Sequence, residues 1–154
     1  MNASSEPQVH ELQGVQTVCG RCFTPNRVPR SRLGDDPKCG KCGQQLLDGE
    51  PVALDERNFD QFVAKSELPV AVDFWAEWCA PCRVMAPTFE SVARELKSSV
   101  RFAKIDVDAA PALARRFGVS SIPTLMLFQR GAEVRRIAGA LSARQLKGWI
   151  AEAS

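Results

Sequence analysis

Six cysteines, all in Cys-x-x-Cys pairs, constrain this chain more than any other feature. The pairs are Cys19/Cys22, Cys39/Cys42 and Cys79/Cys82. Such pairs serve redox chemistry or metal binding when the protein stays inside the cell, and a disulfide framework when it is exported. Met1 to Val15 offers neither a cationic start nor an apolar stretch, so no export signal is expected. Without one, the glycosylation triplet Asn2-Ala3-Ser4 reads as chance. No run reaches the ~18 apolar residues of a membrane span. The expectation is a cytoplasmic protein with no membrane role, whose thiols do chemistry.

Other features narrow that chemistry. The only histidine is His10, in a polar, aperiodic start, so catalytic units built on histidine and His-rich metal sites drop out. The 20 Lys and Arg nearly balance the 18 Asp and Glu, for a net charge of +2. That balance argues against a nucleic-acid partner held by bulk charge. A length of 154 residues suits one ordinary domain with a small appendage.

The first two pairs form Cys-x₂-Cys-x₁₆-Cys-x₂-Cys, within the spacing of a four-cysteine zinc site. The segment around them is rich in Gly, Pro, Arg and Asp. Its apolar residues, Val18, Phe23, Val28, Leu33, Leu46 and Leu47, are too few for an independent core. Something other than burial must hold it, and metal binding contributes on the order of 10 kcal/mol in small zinc modules. Gly20, Gly40 and Gly43 suit the tight turns of two cysteine knuckles, and Arg21 and Lys41 stand ready to offset the thiolate charge. Cys19, Cys22, Cys39 and Cys42 would saturate one tetrahedral Zn²⁺ and leave no open position, which makes the ion structural. The alternatives are two disulfides, iron in the same four-sulfur site, or a knuckle paired with Cys79/Cys82. The same thiols also suggest an oxidation-sensitive element, in which oxidants eject the metal and form disulfides.

From Pro51 the pattern changes to alternating strands and helices. Val52–Leu54 reads as a short strand, and Asp55 or Asn58 caps a helix that turns Phe59, Phe62 and Val63 inward. Pro69–Ala76 is nearly all apolar, as a strand covered on both faces would be. A long helix is expected over 81–97, with Val84, Met85, Phe89, Val92, Ala93 and Leu96 inward and a kink at Pro87. A strand over 100–107, a short helix over 110–117 ended by Gly118, and a hairpin around Arg130-Gly131-Ala132 follow. Ser142 and Gln145 form a capping box that opens a last helix with Leu146, Trp149 and Ile150 inward. The order predicts a mostly parallel sheet with helices on both faces, ended by an antiparallel hairpin.

The third pair, in Trp78-Cys79-Ala80-Pro81-Cys82, lies between the apolar strand and the long helix. Two intervening residues let its sulfurs close or open a disulfide with little backbone motion. Cys79 falls at the helix N-terminus, where amides and the dipole favour a thiolate. Cys82 lies a turn further in, where less solvent is expected. Cys79 then attacks a substrate disulfide and Cys82 resolves the mixed disulfide.

Residues 52–154 resemble the thioredoxin family through Val72-Asp73-Phe74-Trp75-Ala76-Glu77-Trp78-Cys79-Ala80-Pro81-Cys82, Ser121-Ile122-Pro123-Thr124 and Ala138-Gly139-Ala140. The resemblance implies the thioredoxin fold, an α/β arrangement of a central mixed sheet flanked by helices. It implies a cis bond before Pro123 beside the disulfide, and a docking patch of Trp78, Ala80, Pro81, Ile122, Pro123, Ala138, Gly139 and Ala140. Asp73 is a carboxylate in an apolar strand, suited to take the Cys82 proton through water, and Lys104 matches the lysine that partners it. Ala80 stands where the family usually has Gly, and Arg83 where Lys is more common. With the four-cysteine segment before it, the chain from about Gln16 resembles a zinc-binding bacterial branch of the family.

The expected organisation is a flexible tail over 1–15, a zinc-ribbon-like module over 16–50 and a thioredoxin domain over 51–154. The implied activity is protein-disulfide reduction, with electron transport and oxidative-stress response as its setting. The implied partners are disulfide-containing proteins and an NADPH-dependent flavin thioredoxin reductase. A monomer with one zinc and no organic cofactor is expected. The competing readings are an oxidase or isomerase direction for the same pair, and a zinc module that recruits proteins, as an adaptor or chaperone would, on a redox-capable scaffold.

Overall fold

A computed structural model describes residues 14–153. Val15–Val18 (β1) and Pro25–Val28 (β2) pair antiparallel as a small sheet, and a single 3₁₀ turn follows at Arg30–Arg32. The larger sheet contains Val52–Ala53 (β3), Val70–Trp75 (β4), Arg101–Asp106 (β5), Thr124–Gln129 (β6) and Ala132–Ala138 (β7). Its order is β3-β5-β4-β6-β7. The helices are Phe59–Lys65 (α1), Ala80–Glu95 (α2), Pro111–Arg116 (α3) and Ala143–Ala151 (α4).

The sheet is mixed, with β3, β5 and β4 parallel and β6 and β7 antiparallel to their neighbours. The mostly parallel arrangement read from the element order is therefore corrected at β6. The six residues of α3 rise about 9 Å, less than half of the ~20 Å of a six-residue strand. The link from β5 to β6, of which α3 is a part, does not carry the chain back to the far end of the sheet. Thr124 instead starts beside Phe74, at the carboxyl end of β4.

Alternation along β4 divides the core. Val70, Val72 and Phe74 pack with α1, α3, Met126 and Phe128 on one face. Ala71 packs on the other with Met85, Phe89 and Val92 of α2 and Leu146, Trp149 and Ile150 of α4. Pro87 lies inside α2 without ending it. The expected inward position of Val84 is corrected: it is 75% exposed, because the buried stripe of α2 runs through Cys82, Met85, Phe89 and Val92. The capping box at Ser142 and Gln145 forms in both directions. The hairpin loop is two residues, Arg130 and Gly131, since Gln129 already pairs with Ala132. Both loop residues have positive φ, 50° and 86°, as the tightest hairpin turns require.

The cysteine-rich segment shares the core of the larger sheet. Val18 is buried among Phe59, Phe62 and Val70, and Phe23 meets Phe62 edge-on at 6.2 Å. Leu68 packs into the cluster formed by Val15, Val28, Leu46 and Leu47. Gln16 and Glu67 exchange bonds: the Gln16 amide donates to the Glu67 carboxylate, and the Glu67 amide donates to the Gln16 carbonyl, each at 2.9 Å. Val15, read as the end of a loose tail, is buried in β1. Residues 1–13, with His10 and Asn2-Ala3-Ser4, lie outside the described residues.

Candidate active site and metal centre

The apolar run of β4 ends at Trp75, and α2 begins five residues later, with Cys79 as its N-cap. Cys79 and Cys82 are joined in a disulfide, with their Cα atoms 5.2 Å apart. The Cys82 amide points at the Cys79 sulfur from 3.2 Å. Both cysteines are buried, at 4% and 2% exposure, so solvent access barely separates them. The expected asymmetry comes from the helix terminus instead: its unpaired amides and dipole favour negative charge on Cys79.

The bond between Ile122 and Pro123 is cis. Pro123 is buried, and the Ile122 carbonyl lies 3.7 Å from the Cys79 sulfur. The Gly139 amide donates to the Pro123 carbonyl at 2.8 Å, which ties this loop to the end of β7. Gly139 has φ +103°, a conformation side-chain-bearing residues rarely adopt. Trp78, Ala80, Pro81, Ala138, Gly139 and Ala140 are exposed around the disulfide, and Ile122 is half-buried. Trp78 is 68% exposed, and its indole Nε1 donates to Asp108 at 2.8 Å. Asp108 escaped the sequence reading because nothing local marks a partner thirty positions away. Exposed Val84 lies one turn beyond Ala80 and Pro81 and extends the same apolar rim. Arg83 donates to the Glu77 carbonyl at 2.8 Å and braces the approach to Cys79.

Asp73 lies on the sheet face that α2 covers, the face shared with Ala71. It is 0% exposed, and neither carboxylate oxygen has a hydrogen-bond partner among the described residues. Burial raises its pKa to about 7, against the opposing pull of Lys104. Lys104 is its register partner on β5, but the ammonium rests over the Trp75 ring, 4.4 Å from the centroid.

The four remaining cysteines converge. Their sulfurs all lie within 4.8 Å of one another. Zinc–sulfur bonds of ~2.3 Å in a tetrahedron place sulfurs about 3.8 Å apart. Cys19 and Cys42 are 3.6 Å apart, and Cys22 and Cys39 are 3.7 Å apart. Each pair forms a turn of the same design. The Phe23 amide bonds back to the Cys19 carbonyl, and the Gly43 amide to the Cys39 carbonyl, both at 2.9 Å. Phe23 and Gly43 hold the matching left-handed positions, at φ 60° and 79°. Gly20 and Gly40 lie in the same turns without a positive φ. Gly20 is small for another reason: a Cβ there would stand 2.7 Å from Val52 Cγ2.

Amides of Arg21 and Cys22 aim at the Cys19 sulfur, and those of Lys41 and the Asn26 side chain at Cys39. The Cys42 backbone, Asn26 and Lys41 lower the Cys39 pKa to about 6. Cys42 moves the other way, to about 11: the Gln44 amide pulls it down, but burial and the neighbouring sulfurs outweigh that pull. Four thiolates this close repel one another without a cation, so the donor set fits a thiophilic divalent ion. The sulfurs stand too far apart for the two disulfides considered from sequence.

A redox disulfide at the head of a helix, facing a cis-proline on this mixed sheet, defines a thiol-disulfide oxidoreductase of thioredoxin fold. Residues 50–152 match the family model for thioredoxin, and residues 18–44 match that for the N-terminal region of thioredoxin 2, a zinc ribbon. The chain is 50% identical to thioredoxin C-3 of Corynebacterium nephridii over 133 residues, covering 86% of this chain and 91% of that protein. It is 50% identical to a thioredoxin of Mycolicibacterium smegmatis over 95 residues, covering 60% of this chain and 85% of that one. It is 47% identical to a bifunctional thioredoxin reductase/thioredoxin of Mycobacterium leprae over 92 residues, covering 60% of this chain and 20% of that protein. The chain belongs to the thioredoxin family.

Proposed function

We propose that the protein reduces disulfides of partner proteins, with Cys79 as nucleophile and Cys82 as resolving thiol. The reading rests on the Cys79 sulfur at the head of α2, facing the Cys82 amide. In the reduced protein the Cys79 thiolate attacks one sulfur of a substrate disulfide. A mixed disulfide forms and one substrate thiolate leaves. Cys82 gives its proton to Asp73 through a water and attacks the Cys79 sulfur. The second substrate thiolate leaves and the Cys79–Cys82 disulfide closes, so two electrons have passed to the substrate.

Asp73 suits that task because burial holds its pKa near neutrality. Lys104, parked on Trp75, keeps that pKa from rising further. Trp78, Ala80, Pro81, Ile122, Pro123, Ala138, Gly139 and Ala140 form the surface on which an extended substrate segment lies. Pro123 has no amide hydrogen, and backbone pairing falls to Ile122.

The spent disulfide is reduced again by an NADPH-dependent flavin thioredoxin reductase. The M. leprae relative, which carries both names in one chain, supports that pairing. Cys19, Cys22, Cys39 and Cys42 hold one structural zinc, and no organic cofactor takes part. The organisation is a zinc module over 16–50 ahead of a thioredoxin domain over 51–154. The protein acts as a cytoplasmic monomer in thiol-based electron transport and the oxidative stress response. Among the described residues, no helix is long and apolar enough to cross a membrane.

Trapping tests the direction of attack. Cys82→Ser is expected to accumulate a substrate mixed disulfide on Cys79, and Cys79→Ser to accumulate none. Equal trapping by both variants contradicts the assignment.

A further inference from the structure

The cysteine quartet and the redox disulfide sit at opposite ends of the same strands. Asp106 and Trp75 end β5 and β4 on the side of Cys79, whereas Arg101 begins β5 on the side of the quartet. Arg101 is 6% exposed, an unusual place for a guanidinium. Its hydrogen bonds cross to the cysteine module: Nη1 donates to the Thr17 hydroxyl at 2.6 Å and to the Val18 carbonyl at 2.7 Å. The next residue along β1's exit is Cys19. The guanidinium also lies over the Phe62 ring, 4.8 Å from its centroid, and Gly20 passes close to Nη2.

A buried cation is costly unless a negative group faces it. The opposing charges here are Asp48 and Cys19, which partly offset the downward pull of burial on the Arg101 pKa, about 10. Four thiolates around a divalent ion carry a net charge of −2. Arg21 and Lys41, the cations assigned to that charge from sequence, are exposed to solvent, which screens them. Arg101 is the cation buried beside the module.

We propose that Arg101 is the positioning residue of the metal centre, holding the β1 end that carries Cys19 and supplying a buried positive charge to the metal–thiolate cluster from the redox domain. Metal retention and docking of the module are then one linked equilibrium. Whatever weakens the Arg101 contact weakens the site for zinc, and zinc strengthens that contact by the same factor.

The test is zinc transfer from the full-length holoprotein to a chromogenic chelator at neutral pH under anaerobic conditions. Arg101→Met keeps an unbranched apolar stem without charge or donors, and Arg101→Lys keeps the charge. Arg101→Met is expected to raise the apparent zinc dissociation constant at least tenfold, and Arg101→Lys to recover much of that loss. A role in packing alone predicts no advantage of Lys over Met. Zinc retention by the Met variant equal to wild type, or equal loss in both variants, overturns the proposal. Should the Met variant not fold, Thr17→Val removes one acceptor and keeps the branched shape. Zinc release about threefold faster than wild type is expected there, and an unchanged rate overturns the proposal.

Discussion

Asp73 and Lys104 are register partners on adjacent parallel strands, yet the lysine ammonium stacks on Trp75 and leaves both carboxylate oxygens without a hydrogen bond. The carboxyl is thus tuned mainly by burial, with a cation near enough to limit the shift but not to cancel it.

That balance sets a pH signature. Asp73 titrates near 7 in the folded protein against an ordinary 3.8. The folded state holds a proton that the unfolded chain releases at lower pH. Its contribution to stability is fully present below pH 3.8, declines as pH rises toward 7, and above that leaves a constant cost of roughly 4 kcal/mol at most. Asp73→Asn is expected to stabilise the oxidised protein by about 2–4 kcal/mol at pH 8 and hardly at all near pH 4. Urea unfolding at the two pH values checks it, and an equal gain at both contradicts the burial argument. The same variant should reduce insulin several-fold more slowly near pH 6, with the deficit closing toward pH 9 as the Cys82 thiol ionises unaided.

Removing the lysine charge moves the carboxyl further. In Lys104→Met the Asp73 titration, followed by carboxyl carbon NMR, is expected to shift upward from about 7. A downward shift would show that Lys104 does not act on Asp73 through its charge.

Zinc removal should unfold less than a free-standing zinc module would, because Val18 and Phe23 are packed into the redox domain's core. Chelation or Cys39→Ser is expected to lower the melting temperature by roughly 10 °C, since several kcal/mol of binding energy is lost. Insulin reduction at 25 °C should persist. Complete loss of that activity on chelation would mean that the metal supports the redox site directly.

Phe23 sits in a left-handed conformation that Gly43 occupies in the second knuckle. The strain costs about 1–2 kcal/mol, and contact with Phe62 offsets it. Phe23→Gly relieves the backbone but empties the contact. A net destabilisation of about 1–2 kcal/mol is expected in thermal or urea unfolding, because burial of an aromatic ring outweighs the strain. A stabilised variant would show that the ring contributes little.

The main elements of the larger sheet were legible because apolar runs and helical periods carry them, and the hairpin and capping box because short-range residue chemistry does. The Cys79–Cys82 pair at the head of α2 was legible because the two cysteines and the strand-to-helix turn that carries them are contiguous. The strand direction at β6 was not, since it depends on which end of the sheet the link from β5 delivers the chain to. Val84 reads as inward on spacing alone; only the packing of α2 shows that its buried stripe passes beside it. Asp108 and Arg101 act on groups 30 and more than 80 positions away, and no local pattern reports such contacts. The core shared between the cysteine module and α1 was hidden for the same reason, because the module's few apolar residues look inadequate until Phe62 and Leu68 are placed beside them.

Disulfide reduction by this protein depends on Cys79 being the activated sulfur of its pair. Peptide-resolved labelling of the reduced, zinc-loaded protein by iodoacetamide at neutral pH measures this directly. Cys79 is expected to react at least tenfold faster than Cys82 and faster than a free thiol such as glutathione. Labelling of Cys82 at an equal or greater rate, or of Cys79 no faster than glutathione, would contradict it.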